Sequence, residues 1–503
     1  MFWWKNAIVL IGLLGLASLP LLRLSQASWE RLMIARLAAA GALIACVAVS
    51  FVPMAPSLLI YGVLLLLCFD RRVPMVATFL FFYLWTPSTT VLLNIAGAYV
   101  MNLGPLTVFS GAMLLAYLAN PGLHLRRQPN ATDVLFHSFL LIFLLCVSLP
   151  DSPTGAFRNF MQYVVPYGLT YHVVSRTRIP QPELVLRLMI FGAAAASLLC
   201  MFEAVRWWPL YANIGAMKGD LYVAGTPTVM LFRGGMLRAY GPYSHPLGGS
   251  VVFGMTAIAV FGLAAWQGWK MPVVVAGGCA LVGLVATLSR TGVIAMAVGI
   301  VALLLMRRRY AVATAIAGFG FIIVVALPIL SNADAQGSAD YRMMILWGIP
   351  KTLGSHVWLG YPEAVSSGLL DSFKQGQGIV DLVNLYLAIV VQGGIASLLP
   401  YVLFLASSLM GYRALRRVRP SRDQLLLGQV CMAIQAGFVV SAAFIGAWSA
   451  PMVLSIVFAA ILVALRAEAV RAAAHPSQPR TDAGEVRSSM PHMPDGDRLP
   501  ALR

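Results

Sequence analysis

Apolar stretches long enough to cross a bilayer follow one another along almost the whole chain, and no soluble core could absorb so many. A helical span needs roughly 20 mostly apolar residues, with a range of about 17–25. Such runs, some of them shorter, lie at 33–52, 57–69, 74–95, 102–119, 132–149, 161–175 and 184–205. They resume at 246–266, 271–289, 291–306, 311–330, 381–411, 424–448 and 451–465. With Met1–Leu24, read as a retained first helix rather than a cleaved signal, they make about fifteen. Only 11% of residues are charged and mean hydropathy is +0.82, which excludes an ordinary soluble domain. Backbone groups in lipid must be paired within each span or in a closed barrel, and the alternating strands of a barrel are absent. The predicted fold class is all-α, a polytopic helix bundle of about 12–15 spans.

The net charge of +17 has two outlets. Cytoplasmic connections accumulate Lys and Arg, and the clusters Arg71–Arg72, Arg126–Arg127, Arg176 with Arg178, Arg307–Arg309 and Arg413–Arg422 fall on alternate connections. That pattern predicts 150–160, 206–245 and 331–380 on the outer, periplasmic side. The remaining positive charge can serve an anionic ligand or anionic lipid heads. Six cysteines sit singly inside apolar runs, as buried hydrophobes rather than disulfides or metal ligands. The chain divides into one membrane domain, 1–465, and a Pro-, Ser- and Arg-rich tail, 466–503, expected to be disordered and cytoplasmic. No internal repeat or phosphate-binding Gly-rich loop is present.

Chemistry in water is expected where the apolar pattern fails longest, from Ser331 to Leu387. Asp340–Ile349 reads as a short amphipathic helix carrying Arg342 and Trp347 and ended by Pro350. Asp381 and Asn384 stand at the mouth of the next span. Asp381 is either a general base or the cap of that helix.

Among the outward cations Arg290 is the hardest to dismiss, because TLSRTG lies between two apolar runs at the interface. It is either a snorkelling anchor or a fixed cation for a phosphate, which guanidinium grips bidentately. MLRAYGPYSHPLGGS supplies Arg238 just ahead of another span. In the same segment His245 is a proton carrier or a turn cap. Arg158, after the outward turn DSPTGAF, is a further candidate for binding phosphate. Asp340 and Arg342 have the alternative of pairing with each other.

Taken together, LRAYGPYSHP before a span, TLSRTG between spans, a long outer loop with an Arg-x4-Trp element and the exit VDLVNLYLAIVVQGG resemble the O-antigen ligase and polysaccharide polymerase group of bacterial envelope proteins. The resemblance covers roughly 155–465. It implies a metal-independent glycosyltransferase, without cofactor, acting on lipid-linked sugars at the outer face of the inner membrane. Its donor would be an oligosaccharide on polyisoprenyl pyrophosphate, held by Arg238 and Arg290 with Arg342 assisting. Trp347, Asn384 and Tyr386 would support the loop. Where lipid A ligases of the group carry a His, this chain has Val383, and Asp381 resembles an acidic residue of exopolysaccharide polymerases. The expectation is therefore a polymerase, with Asp381 or His245 as base. Its partners would be the lipid-linked repeat, membrane lipids, a chain-length regulator and a flippase, with no nucleic acid. A ligase acting on lipid A or protein is the nearest alternative. A lipid-linked sugar transporter, which would favour paired ionisable residues deep in its spans, is the other.

Overall fold

In a computed structural model of the chain, the residues described are all but 1, 2, 26, 96, 97, 213, 215–217, 219–222, 225–230, 234, 319–333, 375–379, 381, 447, 448 and 475–503. The helices in chain order are α1 Trp3–Leu24, α2 Ser28–Val49, α3 Met54–Cys68, α4 Met75–Trp85, α5 Pro105–Ala119, α6 Ala131–Ser148, α7 Pro153–Asn159 and α8 Val165–Ser175. They continue with α9 Pro182–Arg206, α10 Pro246–Gln267, α11 Met271–Ala286, α12 Arg290–Met306, α13 Asp334–Leu353, α14 Leu385–Arg417, α15 Arg422–Ser441 and α16 Ala450–Ala474. Eight of the described helices are long and apolar enough to cross a membrane, and five shorter apolar ones accompany them. The chain is a multi-pass all-α membrane protein. At its centre α9 and α10 have 89% and α16 78% of their most apolar stretch buried, whereas α1 has 39% and α2 50%.

Three sequence expectations change. The run at 74–95 is not one span: α4 stops at Trp85, and Thr90–Ile95 (β1) pairs antiparallel with Ala98–Leu103 (β2). Pro87 denies the helix a donor, and a short apolar run reads equally well as strand or helix. Val223–Ala224 (β3) adds to β1. Pro350 does not end the loop helix, which spans Asp334–Leu353 and stays anchored by Ile345, Ile349 and Leu353. The last helix runs to Ala474, past the expected boundary at 465, while 475–503 lie outside the described residues. The second half of the run at 311–330 also lies outside them.

The expected irregularity at 161–175 is a π-turn, Phe160–Val164, joining α7 to α8. Pro166 cannot donate to the carbonyl one turn earlier, and the wider turn absorbs that loss. It also sets Gln162, Tyr163, Pro166 and Tyr167 along one cavity wall.

The loop that precedes α14 is fastened by a break in that helix. Gly394 has φ +68°, ψ −178°, a region open essentially to glycine, and a Cβ there would run into the Trp358 carbonyl. The backbone groups freed by the break are taken up by the loop: Ala396 N donates to Trp358 O at 3.0 Å and Tyr361 N to Val391 O at 2.7 Å. Beneath this junction Ile345, Ile349, Leu353, Leu370 and Phe373 pack on Leu387, Val390 and Val391, giving the loop its own small core.

The connections rich in arginine converge at one end of the bundle. Arg71 Nε bonds Asn120 Oδ1 at 3.1 Å, Leu125 N bonds Arg176 O at 2.7 Å, and Glu468 accepts from Ile179 N and Gln424 Nε2. There Arg127 grips Asp133 with both terminal nitrogens at 2.5 and 2.6 Å, and Tyr171 Oη donates to the same carboxylate at 3.0 Å. Such a buried pair fixes geometry because losing either partner strands a charge.

Candidate functional site

At the opposite end lies a cavity of about 490 Å3, within the roughly 300–1,000 Å3 usual for small-ligand sites. Its wall combines tyrosines (Tyr83, Tyr163, Tyr167, Tyr243) with the amides of Asn102 and Gln162, several Ser and Thr hydroxyls, and His245. Among the described residues no carboxylate and no Lys or Arg lines it. Asn102 Nδ2 donates to Gln162 Oε1 at 3.2 Å, joining β2 to the π-turn across the wall. Thr86 Oγ1, Ser88 Oγ, Asn102 Oδ1 and Tyr243 Oη are buried atoms of wall residues without a hydrogen-bond partner among the described residues. A neutral wall of aromatic faces and unused hydroxyl and amide groups suits a polyhydroxylated ligand, since buried polar atoms left unpaired are costly.

Arginines from separate elements gather beyond this lining. The turn 287–290 is their meeting place: Arg238 Nε donates to Thr287 O at 3.3 Å, and Arg233 Nη1 to Leu288 O at 3.1 Å. Arg290 opens α12 at that turn. Ala239 N also donates to Ala286 O at 3.1 Å, and Ser289 Oγ lies 3.1 Å from Ser250 Oγ, so the two signature segments form one surface. Leu288 holds φ +49°, a left-handed conformation unusual for a leucine, so the turn stores strain where the charges gather. Arg290 is half-buried and has no hydrogen-bond or ion-pair partner among the described residues, and the Ser289 side chain makes no capping bond to the N–H groups of α12. The helix therefore offers an anion unsatisfied N–H groups, the positive end of its dipole and a free guanidinium.

Arg342, from α13, lies over the Phe444 ring with its guanidinium carbon 5.5 Å from the centroid, next to the cavity residues Ile445 and Gly446. Arg158 sits at the far wall, donating to Tyr99 O from Nε at 3.1 Å and Nη2 at 2.5 Å and stacking on the Tyr99 ring. That grip locks β2 to α7, so Arg158 supports the wall rather than standing free. Lys218, another cation of the segment 206–245, is buried and donates to Val47 O, Val52 O and Ser57 Oγ around the junction of α2 and α3.

His245 settles as a cap. Its Nδ1 accepts from Leu247 N at 3.1 Å at the start of α10. With that lone pair engaged, the neutral ring carries its proton on Nε2 and presents a donor, not a base. The ring opens onto the cavity, yet the surrounding protein and the charge of Arg238 push its pKa down to about 4. A folded pKa below the unfolded value of about 6.5 means that the unfolded chain binds more protons between those values. The contribution of His245 to stability is thus full above about pH 6.5 and lost as pH falls through about 4. His245→Gln is expected to flatten the acid side of the melting-temperature profile between pH 7 and 4; an unchanged profile would contradict this assignment.

Asn384, not Asp381, caps α14, its Oδ1 accepting from Leu387 N at 3.1 Å. Asp381 lies outside the described residues, while Val383, two positions on, lines the cavity. Tyr386 Oη donates to Val439 O at 2.7 Å and ties α14 to α15. Trp347 is 64% exposed and joins neither the loop core nor the cavity wall. Among the described residues no group of three His, Cys, Asp or Glu could hold a metal ion.

One residue that organises the site escaped sequence reasoning. Glu203, near the end of α9, is 1% exposed. Its carboxylate accepts from Leu210 N at 3.2 Å, Tyr240 N at 3.1 Å and Gly241 N at 2.8 Å. It thereby holds the segment between Arg238 and His245 against the bundle. Gly241 has φ +57°, and a Cβ there would lie 2.6 Å from Cys200 Sγ, so the segment can press onto α9 only through glycine. In sequence, Glu203 looks like any acid at a span end. The chain matches no protein-family model and no curated protein.

Proposed function

We propose that the chain is a polysaccharide polymerase of the inner membrane. It joins oligosaccharide repeats carried on polyisoprenyl pyrophosphate, at the periplasmic face. The observation that carries this reading is Arg290 at the N-terminus of α12, without a partner among the described residues, on the turn that also takes hydrogen bonds from Arg238 and Arg233. In the reaction an acceptor hydroxyl attacks the anomeric carbon of the donor, the carbon–oxygen bond to the diphosphate breaks, and the hydroxyl proton passes to a base. Arginines preorganised in a partly dry site stabilise the charge growing on the departing diphosphate. Arg238 and Arg290 hold it, and Arg342 closes from the loop side. The Nε2–H of His245 is placed to donate to a ligand oxygen, which leaves Asp381 as the base. The tyrosines and amides of the wall orient the acceptor sugar.

Reconstitution in vesicles with polyisoprenyl-pyrophosphate-linked repeats tests the reading. The expected products are lengthened glycan and free polyisoprenyl pyrophosphate. Transfer only to an added lipid A acceptor would make the protein a ligase. Movement of substrate across the membrane without a new glycosidic bond would make it a transporter.

A further inference from the structure

A groove of about 560 Å3 opens between α2 and the turn that follows α3. It belongs to the arginine-rich end: α4 starts just beyond it at Met75 and finishes beside the sugar-type cavity at Trp85. One side is basic, with Arg36 from α2 and Arg71 and Arg72 from the turn. The other is apolar, formed by Leu32, Met33 and Phe69, and Trp29 is the remaining wall residue apart from Asp70.

The charges do not cancel. Among the described residues Asp70 is the single acid of the lining, and its Oδ1 already accepts from Arg72 N at 2.9 Å. Arg36 Nη2 donates to Leu67 O at 2.7 Å, and Arg71 uses its Nε on Asn120, so each keeps further N–H groups available. The Arg72 guanidinium has no partner among the described residues. Beside this cluster Leu32 and Leu67 are each 64% exposed, on a bundle whose outer surface meets acyl chains. A basic pocket that continues directly into an apolar, lipid-exposed wall matches an amphiphile, and a tryptophan at such a boundary is typical of the headgroup level.

The geometry points to a binding site for an anionic glycerophospholipid, its phosphate among Arg36, Arg71 and Arg72 and its acyl chains along Leu32 and Leu67. Guanidinium favours the phosphate through paired donors, and the apolar wall selects a lipid over a free anion. The positive-inside pattern places this groove on the cytoplasmic leaflet, whose surface is rich in anionic lipid. The site is independent of the reaction proposed above.

Native mass spectrometry of the purified full chain, titrated with phosphatidylglycerol and with phosphatidylcholine, tests it. Phosphatidylglycerol is expected to bind clearly more tightly. Arg72→Gln should weaken it about fivefold, and Arg71→Gln/Arg72→Gln on the order of twentyfold, to the phosphatidylcholine level. Because Arg72 loses no internal contact, the lipid-free melting temperature of Arg72→Gln should match the parent, and that variant decides the matter if the double variant fails to fold. Equal binding of the two lipids, or a preference that survives in Arg72→Gln, overturns the site. Displacement of phosphatidylglycerol by millimolar inorganic phosphate alone would overturn the lipid assignment in favour of a soluble anion.

Discussion

Arg290→Ala should abolish polymer formation while the protein stays folded in the membrane. The side chain has no partner among the described residues, so truncating it breaks no internal contact and the cost to the fold is small. On the proposed reading it acts on the departing diphosphate, where losing one preorganised donor costs about 10²–10³ in rate. Arg290→Lys keeps the charge but loses the planar fork, and should recover only part of the activity. The measurement is glycan length and amount in membranes containing matched levels of each variant. Long polymer at parental yield from Arg290→Ala would end the assignment of this turn as the pyrophosphate site, whatever else the protein does.

Glu203→Ala is expected to damage both fold and activity, for a different reason. The carboxylate satisfies three backbone N–H groups in a fully buried place, and leaving such donors unpaired costs about 1–3 kcal/mol each. Even with relaxation, the loss should be on the order of 3–5 kcal/mol, seen as a markedly lower melting temperature in detergent. Glu203→Gln keeps one acceptor oxygen, places an NH2 group against the remaining N–H groups, and should fall between the two. In the fraction that stays folded, donor affinity should drop more than acceptor affinity, because the released segment carries Arg238 and His245. A Glu203→Ala protein that melts like the parent and binds donor normally would remove Glu203 from the site.

Much of the architecture was legible because hydrophobic length is a local property. Each span had to satisfy its own backbone in lipid, so apolar runs marked helices almost one for one. The exceptions are instructive. At 90–103 a hairpin replaces membrane helix, since a short apolar run beside Pro87 carries no period long enough to separate the two structures. The Gly393–Gly394 pair was visible, but not that it breaks α14 to receive the carbonyl of Trp358. Pro350 looked like a stop, and packing on α14 carried the helix through it.

The candidate site divides in the same way. Arg238, Arg290 and His245 stood out because charge and polarity at the edge of apolar runs are rare. The cavity wall could not stand out: Tyr83, Thr86, Asn102 and Gln162 are ordinary residues in their own segments, far apart along the chain. By itself the sequence determined a multi-pass helical bundle, the segregation of its basic connections and the cations exposed at its edges, all consequences of composition acting within one segment. Only the tertiary structure decided which of those cations meet at the turn 287–290, that Glu203 clamps the segment beside them, and that His245 caps a helix at the edge of the cavity. Those are outcomes of contacts between distant segments, where a hydrogen bond to one buried carboxylate or one helix end outweighs any local preference.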